Sequence, residues 1–130
     1  MVADVPVDAV SLLTSEPLVA HLAMCANGKP HSAPVWYRYD EGMIEIMTTG
    51  RKLANLRTNP HVALSVQKDV AGHPEWRVSI QGTAMIVDDP TVTKEQNQKL
   101  NRKYGTSEND WLEENTLVRI QIGTVDYHVY

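Results

Sequence analysis

Short segments of alternating apolar and polar residues, separated by turn signals, limit what this chain can fold into. Asn27-Gly28 accepts positive φ at both positions and predicts a tight hairpin between strands at residues 18–26 and 31–39. Asp40-Glu41-Gly42 predicts a second reversal before a strand at residues 43–49. The first half is therefore predicted to form a three-stranded antiparallel meander.

The second half repeats the pattern with longer spacers. Strands are predicted at residues 61–66, 76–87 and 117–122, and the last is open to extension through residue 129. Gly82 interrupts the longest of them and predicts a bulge or a close backbone approach. Six short antiparallel strands expose two edges unless the sheet closes, which favours a small barrel. Side chains fill such a barrel, so a site is expected on its outer wall or between two copies.

Three helices are predicted around these strands. A short one spans residues 5–13, and a second begins after Gly50 and ends before Asn59-Pro60. The third, at residues 91–104, follows Asp88-Asp89-Pro90 and is so polar that it is expected on the surface, with its lysines solvated. The fold class is thus β-rich α+β.

Composition narrows the class of protein. A chain of 130 residues and 14.6 kDa predicts one domain, residues 1–130. The net charge of -4 provides no general attraction to nucleic acid or acidic membranes. The first residues lack the basic segment and the following apolar segment of a secretory signal peptide, which predicts a cytoplasmic protein. Cys25, the only cysteine, is expected to be buried and structural.

Catalytic motifs are absent from the sequence. The five histidines show no metal-binding spacing, and no serine lies in a GxSxG elbow. We therefore predict no metal site, and the catalytic residues remain unknown.

The segment from Thr48 to Leu56 has the composition of an anion site. A strand ends in Thr48 and Thr49, and a helix begins at Gly50, where free backbone N–H groups favour negative charge. Arg51 and Lys52 add two cations that the helix dipole alone disfavours, and a bound phosphate would offset that conflict. The alternative is that the threonines cap the helix and the cations are solvated.

Several motifs in order resemble the pyridoxamine 5'-phosphate oxidase-like split-barrel superfamily. They cover the chain from about residue 8 to the final strand: the run at residues 28–37, Thr48-Thr49-Gly50-Arg51-Lys52, Asn55-Leu56-Arg57, Asn59-Pro60 and Gln81-Gly82. The chain is most similar to the small flavin and deazaflavin oxidoreductases. The resemblance implies a six-stranded antiparallel split β-barrel of Greek-key type with short flanking helices.

The resemblance also implies a homodimer with a cofactor, FMN or the deazaflavin coenzyme F-420, in each cleft between the subunits. Carried over by position, the phosphate would be bound by Arg51 and Lys52, with Thr48 and Thr49 beside the phosphate or the ring.

The ring of the cofactor would lie along a second group of residues. Val35 and Trp36 would face it, and Arg77 would reach it. The alternatives are a core or dimer contact for Trp36 and an ordinary surface position for Arg77.

Two departures from the family bear on activity. The oxidases carry a C-terminal region with a substrate-orienting arginine, whereas this sequence ends at Tyr130, and Gly50 stands where they have a serine. The first departure argues against vitamin B6 oxidation, and the second favours the deazaflavin over FMN. Because no acid or base is evident beyond the cofactor site, we expect hydride transfer to or from a small conjugated substrate. Pyridoxamine 5'-phosphate oxidation and a non-catalytic flavin-binding module remain as alternatives.

Overall fold

The computed structural model describes residues 4–130, within which three helices surround one antiparallel sheet. The helices are α1 (Val7–Leu13), α2 (Gly50–Thr58) and α3 (Pro90–Tyr104). The strands are β1 (Ala20–Ala26), β2 (Lys29–Val35), β3 (Arg38–Asp40), β4 (Met43–Thr48), β5 (His61–Val70), β6 (His73–Val87) and β7 (Thr116–Val129).

The topology explains why this sheet closes on itself. The strand order is β2-β1-β5-β6-β7-β4-β3, so β2 and β3 are its two edges. Only Trp36 and Tyr37 separate these edge strands in sequence. Three residue steps, from Val35 to Arg38, span at most about 11 Å. The sheet must therefore curl until its edges are neighbours, which gives the predicted split barrel, with seven strands instead of the six predicted.

The extra strand changes the predicted connections of the first half. The β1–β2 hairpin at Asn27-Gly28 and the reversal before β4 are confirmed. The continuous strand at residues 31–39 is wrong, because the chain breaks into β2 and β3 at Trp36. The three-stranded meander is wrong as well, since β4 pairs with β3 and β7 rather than with β2.

Apolar side chains fill the barrel. Along β1 every second residue is buried, as in Leu22 and Met24, and corresponding residues of β5, β6 and β7 meet them inside. Tyr37 is completely buried, and its hydroxyl donates a hydrogen bond of 2.6 Å to the Leu13 carbonyl of α1. Burial raises the pKa of the Tyr37 hydroxyl, which therefore stays protonated as a donor.

The same alternation corrects the expectation for Cys25. Its position in β1 points outward and it is exposed, because Met24 and Ala26 occupy the inward positions on either side. Because apolar residues occur on both faces of β1, the sequence pattern did not indicate which of them point inward.

The third helix is less exposed than its polarity predicted. It buries Gln96, Asn97, Leu100 and Asn101. The side chain of Asp89 caps its N-terminus by accepting from the Thr91 and Val92 amides. Amide side chains thus form most of the packed face, which hydrophobic patterning does not detect.

A buried carboxylate joins three strands near this helix. Glu45 is 3% exposed, and its two oxygens accept from Arg38 Nη1 at 2.5 Å and Arg119 Nε at 2.9 Å. The three residues are register partners across β3, β4 and β7. Two cations and two hydrogen bonds compensate the burial of one charge.

Gly82 lies at the predicted bulge, where the β6–β7 register shifts. A Cβ there would lie 2.5 Å from the Gln121 carbonyl oxygen and 2.8 Å from Ile120 Cγ2. We expect Gly82→Ala to lower the free energy of unfolding by about 1–3 kcal/mol through overpacking. Urea denaturation followed by circular dichroism measures this change. Thr83→Ala, exposed on the same strand, is the matched control, and equal stability of the two variants would contradict the close approach.

Candidate functional site

A cleft of about 280 Å³ opens where the split in the barrel meets helix α2. It lies beside the C-terminal ends of β2 and β4, under α3 and the segment that follows α3. Its walls come from Pro34, Val35, Trp36, Met47, Lys52, Leu100, Asn101, Trp111 and Asn115. Predicted residues Val35, Trp36 and Lys52 thus share one cleft within a single chain.

The start of α2 has the features of an anion site. Thr49 is the N-cap residue, but its side chain makes no capping hydrogen bond within the described chain. Gly50 has a φ of 63°, and the first turn contains no acidic residue. Neither Arg51 nor Lys52 forms an ion pair with any residue of 4–130. Helix capping by the Thr49 side chain therefore does not explain why threonines precede α2.

Thr48 supplies an unsatisfied polar atom directly before this helix. The residue is 2% exposed, and its Oγ1 has no hydrogen-bond partner among the residues described. Leaving a buried hydroxyl unpaired costs about 1–3 kcal/mol. Thr48 shares the inward face of β4 with Ile44 and Ile46, whereas Met47 lines the cleft from the opposite face, so the cleft does not account for this hydroxyl. The two cations and the free N–H groups at the start of α2 form a donor set that fits the phosphate of a nucleotide cofactor.

Aromatic side chains form the wall opposite Lys52. Trp36 stacks on Tyr104 of α3 with ring centroids 4.5 Å apart and planes 2° from parallel. Trp111 meets Trp36 edge to face, with centroids 5.6 Å apart. Val35 ends edge strand β2, where Pro34 leaves no amide hydrogen. The surface at Trp36 suits a planar ring.

Arg77 lies away from this cleft in the single chain. It is on β6, where Nη1 contacts Asp126 Oδ2 at 2.9 Å. Ser79 and Asp126 line a separate surface cavity of about 390 Å³ on the outer face of β1, β5, β6 and β7. One chain therefore does not bring Arg77 together with Arg51 and Lys52.

Lys103 is not solvated as the polarity of α3 predicted. Its Nζ donates to the Tyr37 carbonyl at 2.6 Å and lies 3.8 Å from the Tyr37 ring centroid. Burial, followed by repulsion from Arg38, lowers the pKa of Lys103 from 10.5 to about 8. The Lys103 ammonium thus connects α3 to the two-residue segment between β2 and β3.

Sequence reasoning missed several residues of this site. Trp111 and Tyr104 contribute aromatic surface, and Asn101 and Asn115 contribute amides. One signal in the sequence could have indicated the packed face of α3. If amide side chains are counted as packing residues, one helical face contains Gln96, Asn97, Leu100 and Asn101.

Residues 4–130 contain no group of three or more histidine, cysteine or acidic side chains placed to hold a metal ion. Nor does any helix in that range have the length and apolarity needed to cross a bilayer.

The fold is a split barrel, and the cleft lined by Lys52 lies on its outer wall. The family model for pyridoxamine 5'-phosphate oxidase matches residues 7–129. The chain therefore belongs to this family, as its motifs indicated. No curated protein matches the chain in sequence.

Solved structures show the same fold at low sequence identity. An F420 reductase is 24% identical with a TM-score of 0.75, covering 89% of this chain and 94% of its own. An FAD-binding protein from Mesorhizobium loti is 23% identical with a TM-score of 0.76, covering 95% and 94%. A conserved hypothetical protein from Mycobacterium tuberculosis is 21% identical with a TM-score of 0.80, covering 98% and 86%.

The lowered pKa of Lys103 predicts a pH dependence of stability. Between pH 8 and 10.5 the unfolded chain keeps the Lys103 proton while the folded chain loses it, so stability from this residue rises with pH. Burial raises the pKa of Tyr37 and Tyr104, which oppose the trend above about pH 10.

We therefore expect the free energy of unfolding of the wild type to rise from pH 8 to pH 10 relative to Lys103→Met. Urea titrations of both proteins across that range measure the difference. A constant difference across the range would show that Lys103 titrates like a solvated lysine.

Proposed function

We propose that this chain is an oxidoreductase that binds FMN or the deazaflavin coenzyme F-420 and transfers hydride to or from a small conjugated substrate. One observation carries the proposal. Arg51 and Lys52, which form no ion pair within residues 4–130, lie in the first turn of α2, and Lys52 lines a cleft with an aromatic wall. The chain belongs to the pyridoxamine 5'-phosphate oxidase family, and an F420 reductase and an FAD-binding protein share its fold.

The phosphate end of the cofactor would be held by charge. The unpaired N–H groups of α2, Lys52 Nζ and the Arg51 guanidinium would all donate to it. The phosphate would relieve the repulsion between these cations and the N-terminus of the helix. Thr49, the N-cap residue of α2, would add a hydroxyl donor at the same corner, whereas Thr48 faces the barrel interior.

The ring end would be held by shape. Val35 and Trp36 present an apolar edge and an indole where β2 stops. Lys52 is the one titratable side chain among the described residues that line the cleft. The cofactor, when bound, supplies the hydride chemistry, and the chain orients it and excludes water.

The proposed assembly is a homodimer with the cofactor between subunits. The position of Arg77 supports it, because this cation lies on the outer face of the sheet and does not line the cleft of its own chain. A second copy that docks on this face would bring its Arg77 to the ring. A cation there favours a reduced, anionic flavin.

Lys52→Ala tests the phosphate site. Loss of a charge-assisted hydrogen bond should weaken cofactor binding by about 1–3 kcal/mol, roughly 5- to 150-fold in Kd. Titration of the protein with FMN and with F-420, followed by fluorescence, measures the effect. Lys29→Ala, at an exposed lysine that begins β2, is the control.

Binding of neither cofactor by the wild type at micromolar concentration would overturn the proposal. Absorbance and mass spectrometry of the copurified chromophore distinguish FMN from F-420. Tight binding without turnover would favour the non-catalytic module. Release of hydrogen peroxide on adding pyridoxamine 5'-phosphate would favour the oxidase.

The shared site predicts complementation between two defective variants. Arg77→Ala and Lys52→Ala damage different halves of the proposed site. In mixed dimers one cleft carries both substitutions and the other carries neither. Unfolding and refolding the two together should therefore restore about one wild-type site in each mixed dimer, measured as cofactor binding stoichiometry. Stoichiometry equal to the mean of the separate variants would place Arg77 in the cleft of its own chain or outside the site.

A further inference from the structure

Trp111 is a large apolar side chain in an exposed position at the mouth of the cleft. It is 49% exposed, although its edge-to-face contact with Trp36 covers part of the indole. It lines the same cleft as Lys52. An indole left half in water beside a cavity has surface available for a ligand.

The backbone at Trp111 is unfavourable for its residue type. Its φ of 59° lies in the left-handed region, where a bulky side chain is an outlier. Such strain persists where the surrounding structure imposes it, and it concentrates at functional sites. Glycine would meet the same backbone requirement without this cost.

Two buried amides impose this conformation. Asn97 and Asn101, 1% and 2% exposed, each donate to the carbonyls of Glu108 and Asp110, immediately before Trp111. Asn115 then donates to Asn97 Oδ1 on the far side of the turn. The segment that carries Trp111 is therefore fixed to α3 at both ends.

The chemistry of the cleft limits what Trp111 can contact. Indole faces carry negative charge density and favour electron-poor planar rings. Lys52 lines the same cleft, and its ammonium favours an anionic group on the same ligand. A heteroaromatic ring linked to a phosphate meets both conditions.

We propose that Trp111 is a ligand-contacting residue that forms the outer wall against which the cofactor ring packs. This inference rests on the proposed function and adds a residue to its site. Trp36, backed by Tyr104, forms the adjoining wall, so the two indoles enclose the ring from two directions.

The test compares ligands with and without the phosphate. FMN and riboflavin are titrated against the wild type, Trp111→Ala, Trp111→Phe and Lys52→Ala, and F-420 is titrated beside its phosphate-free ribityl chromophore. Trp111→Ala should weaken both members of a pair about five- to tenfold, whereas Lys52→Ala should weaken only the phosphorylated member. Trp111→Phe should retain most of the affinity.

Stability gives a readout that does not depend on the cofactor. Because of the positive φ, Trp111→Gly should have a higher Tm than Trp111→Ala, while both bind the ring weakly. Unchanged affinity of Trp111→Ala would overturn this inference and leave the proposed function standing. Failure of the wild type to bind any probe would overturn the proposed function, and the inference with it.

Discussion

The two-residue link between β2 and β3 is the constraint on which this structure depends. Because Trp36 and Tyr37 must connect the two edges of one sheet, the sheet cannot remain open. Tyr37 points into the core and bonds to α1, whereas Trp36 remains at the surface beside α3. Closure and the aromatic wall of the cleft are consequences of the same two residues.

The position of the cleft follows from that closure. Apolar side chains fill the barrel and leave no space for a nucleotide ring, so a ligand must bind outside. At the split, the edge strand β2 is hydrogen-bonded to a neighbouring strand on one side only, and β4 is followed by the start of α2. Free backbone groups, a helix N-terminus and two cations that form no ion pair within residues 4–130 therefore meet at one corner of the fold.

The sequence predicted most of the barrel and only one half of the candidate site. Period-two alternation and Asn27-Gly28 are local signals, so strands and hairpins could be predicted from them. The division of one predicted strand at Trp36 could not, because it depends on closure of the whole sheet. Arg51 and Lys52 were evident from their conflict with the helix dipole. Trp111 could not be predicted as a residue of the cleft, because its position depends on a turn held by amides distant in sequence.

Because amides form most of the packed face of α3, the residues that shape the cleft differ from those that stabilise the barrel. An apolar face would pack well but would leave the carbonyls of residues 108 and 110 without donors. Asn97 and Asn101 satisfy those carbonyls, and in doing so they fix the turn that carries Trp111. Core residues such as Leu22 and Val78 have no part in this arrangement. Substitutions in the turn can therefore change the shape of the cleft while the strands remain as they are.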